Sequence, residues 1–299
     1  MKKVAILMMI HKYTWQQRAL IRHLSNDFDV YIHIDKKSDI DRNEVESSGK
    51  NVKAYKKYKV YWGHHSQFFA TLFILKKAYK VAYERYVFIS GEDIPLKSNA
   101  EITSFFSKNK KEYINYEKLP IKGWAGNGGL DRVDYFYFRN LFVTKPRILM
   151  VFFNKVVNVL NHFLISLMKV FNLHRRLDIQ YYGGSSWWNL THNCVGQILR
   201  YLVENPSFLK KFKYTSCADE IFFQTLILNF IKNLTCENNN LRYIDWSNCE
   251  SSPHIFTIRD FPKLKESPAL FARKFDCTLD AEIIKACFKR ITSRSPESE

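Results

Sequence analysis

The sequence lacks the short motifs that mark several large classes of protein. It contains no G-x-G-x-x-G and no Walker motif, which disfavours dinucleotide oxidoreductases and P-loop kinases. It has no zinc-knuckle spacing and no RNP-like strand, so nucleic acid is not an expected partner. Its six cysteines include no C-x-x-C pair and no metal-ligand spacing, as is typical of reduced thiols in a cytosolic protein.

Acidic residues are few relative to basic ones. The chain has 29 Asp and Glu against 46 Lys and Arg, which gives a formal net charge of +17. Such an excess predicts an anionic partner, either a nucleotide diphosphate or an acidic membrane surface. The apolar run at residues 4–10 is too short for a signal h-region followed by a cleavage site. We therefore interpret it as a buried strand and expect a cytoplasmic protein, with peripheral binding at the inner face of the membrane as an option.

Strand-like and helix-like segments alternate through the first hundred residues. The predicted strands are residues 4–10, 28–34, 52–61 and 86–89. This order predicts an α/β protein with a doubly wound, mostly parallel sheet flanked by helices, an architecture that binds nucleotides. We expect one domain over residues 1–292, with 113–176 as a variable insertion of loop and helix and 293–299 as a frayed tail.

Acidic side chains follow two of these predicted strands. Asp35 ends the second strand, and Glu92 and Asp93 lie in the turn after the fourth. Open α/β sheets bind ligands at the carboxyl ends of their strands, where Asp35 is well placed for the hydroxyls of a ribose. Ordinary turns with solvated or capping carboxylates explain the same residues equally well. A D-x-D string, Asp39 to Asp41, follows the second strand, and we interpret it as a solvated turn or the start of a helix.

The strongly apolar segment 147–172 admits two interpretations. Lys155 and a stripe of polar side chains that includes Asn154 and Asn161 argue against a membrane-spanning helix, which needs roughly 20 apolar residues without charges. The segment is either a helix packed on the domain or a helix lying in a membrane interface.

Two stretches further along the chain combine aromatic or acidic residues with turn signals. Trp187 and Trp188 follow two glycines and suit a platform for a sugar, although an aromatic core is the commoner explanation. Asp219 and Glu220 follow Ser216, which is the predicted cap of a helix. Two acids in a first helical turn are often only partners of the helix dipole. At the rim of a sheet, one of them can equally be a catalytic base.

Several strings of the sequence, modest alone, are specific in their order and spacing. They are Ile10-His11-Lys12, Tyr31-Ile32-His33-Ile34-Asp35-Lys36-Lys37-Ser38, Ser90-Gly91-Glu92-Asp93-Ile94-Pro95-Leu96-Lys97-Ser98, Gly183-Gly184-Ser185-Ser186-Trp187-Trp188, Asp219-Glu220 and Leu270-Phe271-Ala272-Arg273-Lys274-Phe275-Asp276. Together they resemble the core-2/I-branching β-1,6-N-acetylglucosaminyltransferase family, which also includes the peptide xylosyltransferases. The resemblance lies with the short bacterial members and is weakest over 123–176.

The resemblance implies a GT-A fold and single-displacement transfer, with inversion, from a UDP-sugar. It implies that His11 and Asp35 hold the uridine and that Asp93 lies beside the donor. Glu220 matches the family's catalytic base. Lys274 matches a cation that contacts the UDP diphosphate in members that work without a metal.

The second diphosphate cation is matched less well, because His254 and Arg259 both fall in the corresponding stretch. Arg273 is a further cation next to Lys274. On the acceptor side the resemblance points to Trp246. Trp187 and Trp188 join it as acceptor-binding candidates through their aromatic surfaces.

The expected chemistry is consistent with these residue types. An acceptor hydroxyl has too high a pKa to attack unaided, so a carboxylate must take its proton. The leaving UDP develops charge that fixed cations must offset. Glu220, with Lys274 and Arg273, can supply both, so we expect no metal or cofactor and a glycan acceptor, with a lipid-linked acceptor as one option. N-acetylglucosamine is the favoured sugar; transfer of xylose or another hexose, or a non-catalytic role in sugar binding or membrane scaffolding, are the alternatives.

Overall fold

The computed structural model describes residues 2–138, 147–247 and 252–293. The strands are β1 (Lys2–Ile10), β2 (Asp29–Ile34), β3 (Val52–Tyr55), β4 (Tyr83–Ser90), β5 (Ile94–Pro95), β6 (Glu112–Ile114), β7 (Glu117–Lys118), β8 (Tyr182–Gly183), β9 (Trp188–Thr191), β10 (Cys236–Glu237), β11 (Arg242–Ile244) and β12 (Phe271–Arg273). The helices are α1 (Trp15–Leu24), α2 (Arg42–Glu46), α3 (Ser66–Tyr79), α4 (Asn99–Lys108), α5 (Ala125–Gly128), α6 (Asp131–Asp134), α7 (Arg147–Val170), α8 (His192–Glu204), α9 (Pro206–Lys211), α10 (Phe222–Phe230), α11 (Phe261–Glu266) and α12 (Ala281–Thr292). Of the predicted tail, residues 294–299 lie outside the described residues.

The main sheet has the strand order β10-β6-β9-β4-β1-β2-β3. Strands β1, β2, β3 and β4 run parallel, with β1 between β2 and β4. Strand β9 runs antiparallel between β4 and β6, and β6 and β10 are parallel. The predicted α/β architecture with a mostly parallel sheet is therefore confirmed.

Strand β1 is buried on both faces because helices cover both sides of the sheet. Ala5 and Leu7 pack in one apolar cluster with α3, α8 and α10. Val4, Ile6 and Met8 pack in a second cluster with α1 and α4 on the opposite face. Successive side chains of a strand point to opposite faces, so a continuous apolar run fits a strand covered on both sides.

The register of the central strands aligns their carboxyl ends. Ile10 at the end of β1 pairs with Ile34 at the end of β2, and Met9 pairs with Ser90 at the end of β4. The segments that follow these strands therefore emerge along one edge of the sheet. Because β9 is antiparallel to β4, its amino end at Trp188 lies at the same edge.

A second, three-stranded sheet has the order β11-β12-β5. Strand β4 ends at Ser90, and after a short turn the chain enters this second sheet through β5, which contains Pro95. Strand β5 is an edge strand, where proline is tolerated because no partner needs its missing N–H. Its antiparallel pairing places Ile94 opposite Ala272, which brings the following Arg273 next to the acidic turn.

Side-chain caps begin two of the helices, whereas the cap predicted at Ser216 is absent. Thr14 and Ser98 each form a capping box at the start of α1 and α4. Ser216 caps no helix, because Cys217 has a left-handed backbone with φ of 49° and is followed by a 3₁₀ turn, Ala218–Glu220, before α10 begins. The two acids of the predicted first turn therefore lie in this 3₁₀ turn.

Helix α7 contacts the rest of the chain along one narrow face. Val157, Asn161 and Met168 are buried on this face, and the side-chain amide of Asn161 bonds both backbone groups of Phe138. The segment Val151–Val170 is long and apolar enough to cross a membrane by length and composition. The expectation of a packed helix thus holds for one face only, and the interfacial interpretation stays open.

We predict that Gly184→Ala destabilises the fold by about 2–3 kcal/mol, because overpacking against backbone leaves little room for relaxation. A Cβ at Gly184 would lie 2.2 Å from the carbonyl oxygen of Asn115. Chemical denaturation measures the loss. Gly123→Ala is the control: nothing lies within 4 Å of its added Cβ, and only its φ of 88° opposes the change, at about 1 kcal/mol. Equal losses of stability in the two variants would show that the close approach of Gly184 to the Asn115 carbonyl does not limit the side chain at this position.

Candidate active site

The carboxyl edge of β1, β2 and β4 gathers most of the residues singled out from the sequence. His11 and Lys12 follow β1, Asp35 follows β2, and Glu92 and Asp93 follow β4. The second sheet adds the end of β12 to this edge, and the amino end of β9 completes it.

Asp93 is fully buried at the turn after β4. Its carboxylate accepts hydrogen bonds from the backbone N–H and, at 2.7 Å, from the hydroxyl of Ser90. The guanidinium of Arg273 lies 3.5 Å from the same oxygen. The other oxygen, Oδ1, is buried and has no hydrogen-bond partner among the described residues. Asp93 therefore fixes the turn and holds a cation beside it.

Glu92 lies at the centre of a cluster of cations. Its carboxylate is 3.3 Å from the ammonium groups of Lys12 and Lys274 and 3.6 Å from the guanidinium of Arg273. Burial raises the pKa of Glu92, but the charges of these cations, with Arg273 the strongest, outweigh burial and hold the pKa below its ordinary value of 4.5. His11, which is exposed, acts in the same direction. The carboxylate is therefore ionised at neutral pH and keeps three cations together.

The ring of Trp187 packs against one of these cations, Arg273. The guanidinium of Arg273 lies over its ring, 4.6 Å from the ring centroid, and donates a hydrogen bond of 2.6 Å to the hydroxyl of Ser90. An arginine that is already held over an aromatic face loses little conformational entropy when a ligand binds. The position of Trp187 follows from the antiparallel direction of β9, which the sequence pattern did not reveal.

Lys12 belongs to the cluster although sequence reasoning assigned it no role. Its ammonium lies 2.8 Å from Asp276 as well as 3.3 Å from Glu92. Burial lowers the pKa of Lys12, but these two carboxylates reverse the effect and raise it above its ordinary value. Its place directly after a buried strand, beside His11, was the available signal.

His254 and Arg259, the two candidates for the second diphosphate cation, lie in different surroundings. His254 lies beside Lys274 through its backbone carbonyl, but its ring faces Asp260, with Nε2 at 3.1 Å from the carboxylate. Arg259 is exposed on the 3₁₀ turn Ile258–Asp260, and no contact joins it to Glu92 within the described residues. Within the described residues, the cations that share a carboxylate with Lys274 are Lys12 and Arg273, at Glu92, and the choice between His254 and Arg259 stays a prediction.

Asp35 is buried and its carboxylate is held from two sides. One oxygen accepts hydrogen bonds from the backbone N–H groups of Lys37, at 2.9 Å, and Val60, at 3.1 Å. The ammonium of Lys37 lies 3.3 Å from the other oxygen and 4.0 Å from the ring centroid of Tyr61. A carboxylate fixed in this way beside an aromatic ring suits the sugar and base of a nucleoside.

Glu220 pairs with an arginine from the insertion. Its carboxylate accepts a 2.7 Å hydrogen bond from Arg132 of α6, whose guanidinium lies over the ring of Trp124 at 4.1 Å. Burial and the neighbouring charge of Asp219 raise the pKa of Glu220 to about 7, against the opposing effect of Arg132. A carboxylate with a pKa near neutrality takes up and releases protons at working pH, as a general base must.

Asp219 connects the turn of Glu220 to the cation cluster. It accepts a 2.7 Å hydrogen bond from the hydroxyl of Ser186. The next residue, Trp187, packs its ring against the guanidinium of Arg273. Burial raises the pKa of Asp219 above its ordinary value, against the hydrogen bond from Ser186. A short chain of contacts therefore joins the acidic turn to the cations.

The remaining tryptophan candidates differ in exposure. Trp188 is fully buried and packs against Phe88 and Phe223, so its assignment to acceptor binding is wrong and the core explanation holds. Trp246 follows β11 and is 55% exposed, which leaves its ring available to a ligand. Strand β11 ends at Ile244, two residues before this tryptophan.

Metal ligands are not gathered in the described part of the chain. No group of three or more His, Cys, Asp or Glu side chains there is arranged to hold a metal ion. In the D-x-D string, Asp41 caps α2 by accepting a 2.7 Å hydrogen bond from the N–H of Asn43, as the helix-start interpretation predicted.

Comparison with known proteins places this arrangement in a family. The protein-family model described as "Branch: Core-2/I-Branching enzyme" matches residues 4–265 of the sequence. The chain belongs to the Core-2/I-Branching enzyme family. The predicted resemblance and the glycosyltransferase fold class are thereby confirmed.

Curated relatives of this Core-2/I-Branching chain include xylosyltransferases. It is 24% identical over 312 residues to "Xylosyltransferase 2" of Homo sapiens, with 95% of this chain and 33% of the relative covered. It is 23% identical over 312 residues to "Xylosyltransferase 1" of Mus musculus, with 94% and 30% covered. The chain thus spans about a third of the length of these relatives. A solved structure, "Crystal structure of the apo-form glycosyltransferase GlyE in Streptococcus pneumoniae TIGR4", covers 96% of this chain and 64% of its own at 12% identity, with a TM-score of 0.26, too low to support an argument.

We predict that the raised pKa of Glu220 appears as a pH-dependent stability difference between the native chain and Glu220→Gln. The folded carboxyl binds its proton more tightly than the unfolded one. The contribution of Glu220 to the free energy of unfolding is therefore fully present below pH 4.5 and is lost as the pH rises to about 7. Denaturation curves of both proteins from about pH 4 to about pH 9 measure this difference in the free energy of unfolding.

In Arg132→Met, the same loss should extend to higher pH, because the charge that lowers the pKa of Glu220 is gone. A stability difference that is already constant above about pH 5 would show that Glu220 titrates at its ordinary value.

Proposed function

We propose that the chain transfers a sugar from a UDP-sugar to a hydroxyl of a glycan acceptor, by single displacement with inversion and with Glu220 as general base. The observation that carries the proposal is the pairing of two features. A carboxylate with a pKa of about 7 is joined, through Asp219, Ser186 and Trp187, to a cluster of three cations. One feature suits the attacking hydroxyl and the other suits the leaving diphosphate.

On the acceptor side, Glu220 takes the proton of the hydroxyl as its oxygen attacks C1 of the donor sugar. The C1–oxygen bond to UDP breaks in the same step, so one carboxylate is sufficient. Arg132 bonds Oε2 and orients the group, which leaves Oε1 for the hydroxyl. Trp246 and the exposed part of Trp187 offer aromatic surface to the rest of the acceptor.

On the donor side, Arg273 and Lys274 bind the diphosphate, with Lys12 as a third cation. Glu92 now holds these cations, so the diphosphate competes with a carboxylate that keeps them in place before binding. Preorganised charges stabilise a developing negative charge without rearrangement.

The nucleoside binds beside His11 and Asp35 in this proposal, and Asp93 lies next to the donor. Three fixed cations can offset the charge of the leaving UDP, and on this ground we propose that transfer is independent of a divalent metal.

For the donor sugar we propose N-acetylglucosamine. Transfer of xylose by the same machinery is the second candidate, and the similarity to xylosyltransferases favours it. Separate reactions with UDP-N-acetylglucosamine and with UDP-xylose, each measured as UDP released in the presence of the same oligosaccharide acceptor, distinguish the two. Absence of UDP release with any donor, while UDP still binds, would favour the non-catalytic alternative.

We predict that Glu220→Gln lowers transfer by roughly 10²–10⁴-fold, because glutamine keeps the size of the side chain but cannot take the proton. Binding of UDP, measured by titration calorimetry, should be unchanged, since the proposed donor contacts lie on other residues. Asp219→Asn is the matched control: it removes the neighbouring charge and keeps the partner of Ser186, so it should retain far more activity. A Glu220→Gln protein with near-normal turnover, or a loss confined to Asp219→Asn, would overturn the assignment of the base.

We predict that Lys274→Ala weakens UDP binding by about 10–100-fold, the range expected for the loss of one charged hydrogen bond. Lys285→Ala is the control, because Lys285 is an exposed lysine whose partner is Glu282, away from the cluster. The same titrations in EDTA test metal independence. UDP binding and transfer that EDTA abolishes and manganese restores would show that a metal is required.

A further inference from the structure

Helix α7 presents an apolar face that nothing in the described part of the chain covers. Phe163 is 68% exposed and Val170 is 79% exposed. The other members of this face are Phe152, Val156, Val159, Leu160 and Leu167, all exposed. At 100° per residue these side chains lie within one sector of the helix, opposite the buried face that contains Asn161.

The helix has a third, polar sector between these two. It contains Lys155, Asn158, His162 and Ser166, all exposed. A helix crossing a bilayer would carry this sector into hydrocarbon and would have to leave its contacts at Asn161. A helix lying in the plane of an interface keeps the polar sector in water and the apolar face in lipid.

The sequence that contains α7 carries charged side chains of one sign over a long stretch. Residues 135–177 contain seven Lys and Arg and no Asp or Glu. The nearest acids before this stretch, Asp131 and Asp134, are already paired with Lys169 and Arg176. Lys211, exposed on the neighbouring α9, bonds the backbone of Arg175, which brings the basic end of α9 beside the end of this stretch.

This charge distribution selects among possible occupants of the apolar face. A second copy of the chain would bring another net charge of +17 and the same acid-free stretch against it, which opposes association. An anionic bilayer offers apolar depth to the helix face and negative headgroups to the lysines and arginines around it.

We propose that α7 binds an anionic lipid bilayer as an interfacial helix, with its apolar face immersed and the surrounding cations at the headgroups. The helix is tied to the candidate active site through two ion pairs. Lys169 bonds Asp131 at 2.8 Å, and the next residue, Arg132, bonds Glu220 at 2.7 Å. Binding in this orientation holds the acceptor side near the lipid surface. The proposal concerns lipid binding alone and stands independently of the reaction proposed above.

The test is co-sedimentation of the full chain with vesicles of phosphatidylglycerol and phosphatidylcholine, or of phosphatidylcholine alone. We expect binding to the anionic vesicles only. Raising salt from about 0.01 M to about 1 M shortens the screening length from roughly 30 Å to roughly 3 Å and should weaken that binding strongly. Phe163→Ser combined with Val170→Ser should weaken it by about tenfold or more, because two immersed side chains are lost.

Val81→Ser combined with Leu279→Ser is the matched control, since it removes two exposed aliphatic side chains outside α7 and should bind as the native chain does. Thermal unfolding and UDP binding verify that both double variants are folded. Failure of the native chain to bind anionic vesicles at low salt would overturn the proposal, and so would native-like binding by the α7 variant. A dimer in lipid-free solution that the α7 variant dissociates, seen by light scattering, would assign the face to a second copy instead.

Discussion

The structure depends at its functional edge on one buried carboxylate, that of Glu92. It lies where the main sheet and the three-stranded sheet meet, and its cations come from both. Removing one partner from a buried ion pair typically costs about 3–5 kcal/mol, because an unpaired charge is left behind. The same carboxylate that joins the two sheets therefore also fixes the positions of the cations available to an anionic ligand.

Much of this edge was predictable because it is made of strand ends. Buried parallel strands are continuous apolar runs, and the residues after them must emerge together, so Asp35 and Asp93 could be found from pattern alone. Lys12 was missed because lysines after strands are common and a single sequence does not show which carboxylate they meet. The sequence left the choice between His254 and Arg259 open for the same reason, since the surroundings of Lys274 are set by the pairing of β5 with β12.

Other features were hidden because they arise from tertiary contacts. Nothing local distinguishes Trp187 from Trp188, yet Trp187, which precedes β9, lies beneath Arg273, whereas Trp188, the first residue of β9, is fully buried in the core. Arg132 was unpredictable for a different reason. It lies in an insertion whose sequence has little periodicity, 88 residues before its partner Glu220. Both residues show that the strands could be inferred, whereas the partners of their end residues could not.

The direction of β9 has a consequence for the order in which the chain can fold. Strands β1 to β4 all lie within the first 90 residues, and their paired residues are 22 (Val30 with Val52) to 81 (Lys2 with Tyr83) positions apart, so this half of the sheet requires the shorter loop closures. The pairing of Val87 with Asn189 and the contact of Arg273 with the Ser90 hydroxyl, 183 residues apart, instead join distant parts of the chain. Closing such long loops costs entropy before any contact repays it. On a ribosome, the parallel half of the sheet is complete long before β12 has been synthesised, and the cation cluster is among the last parts of the molecule to form.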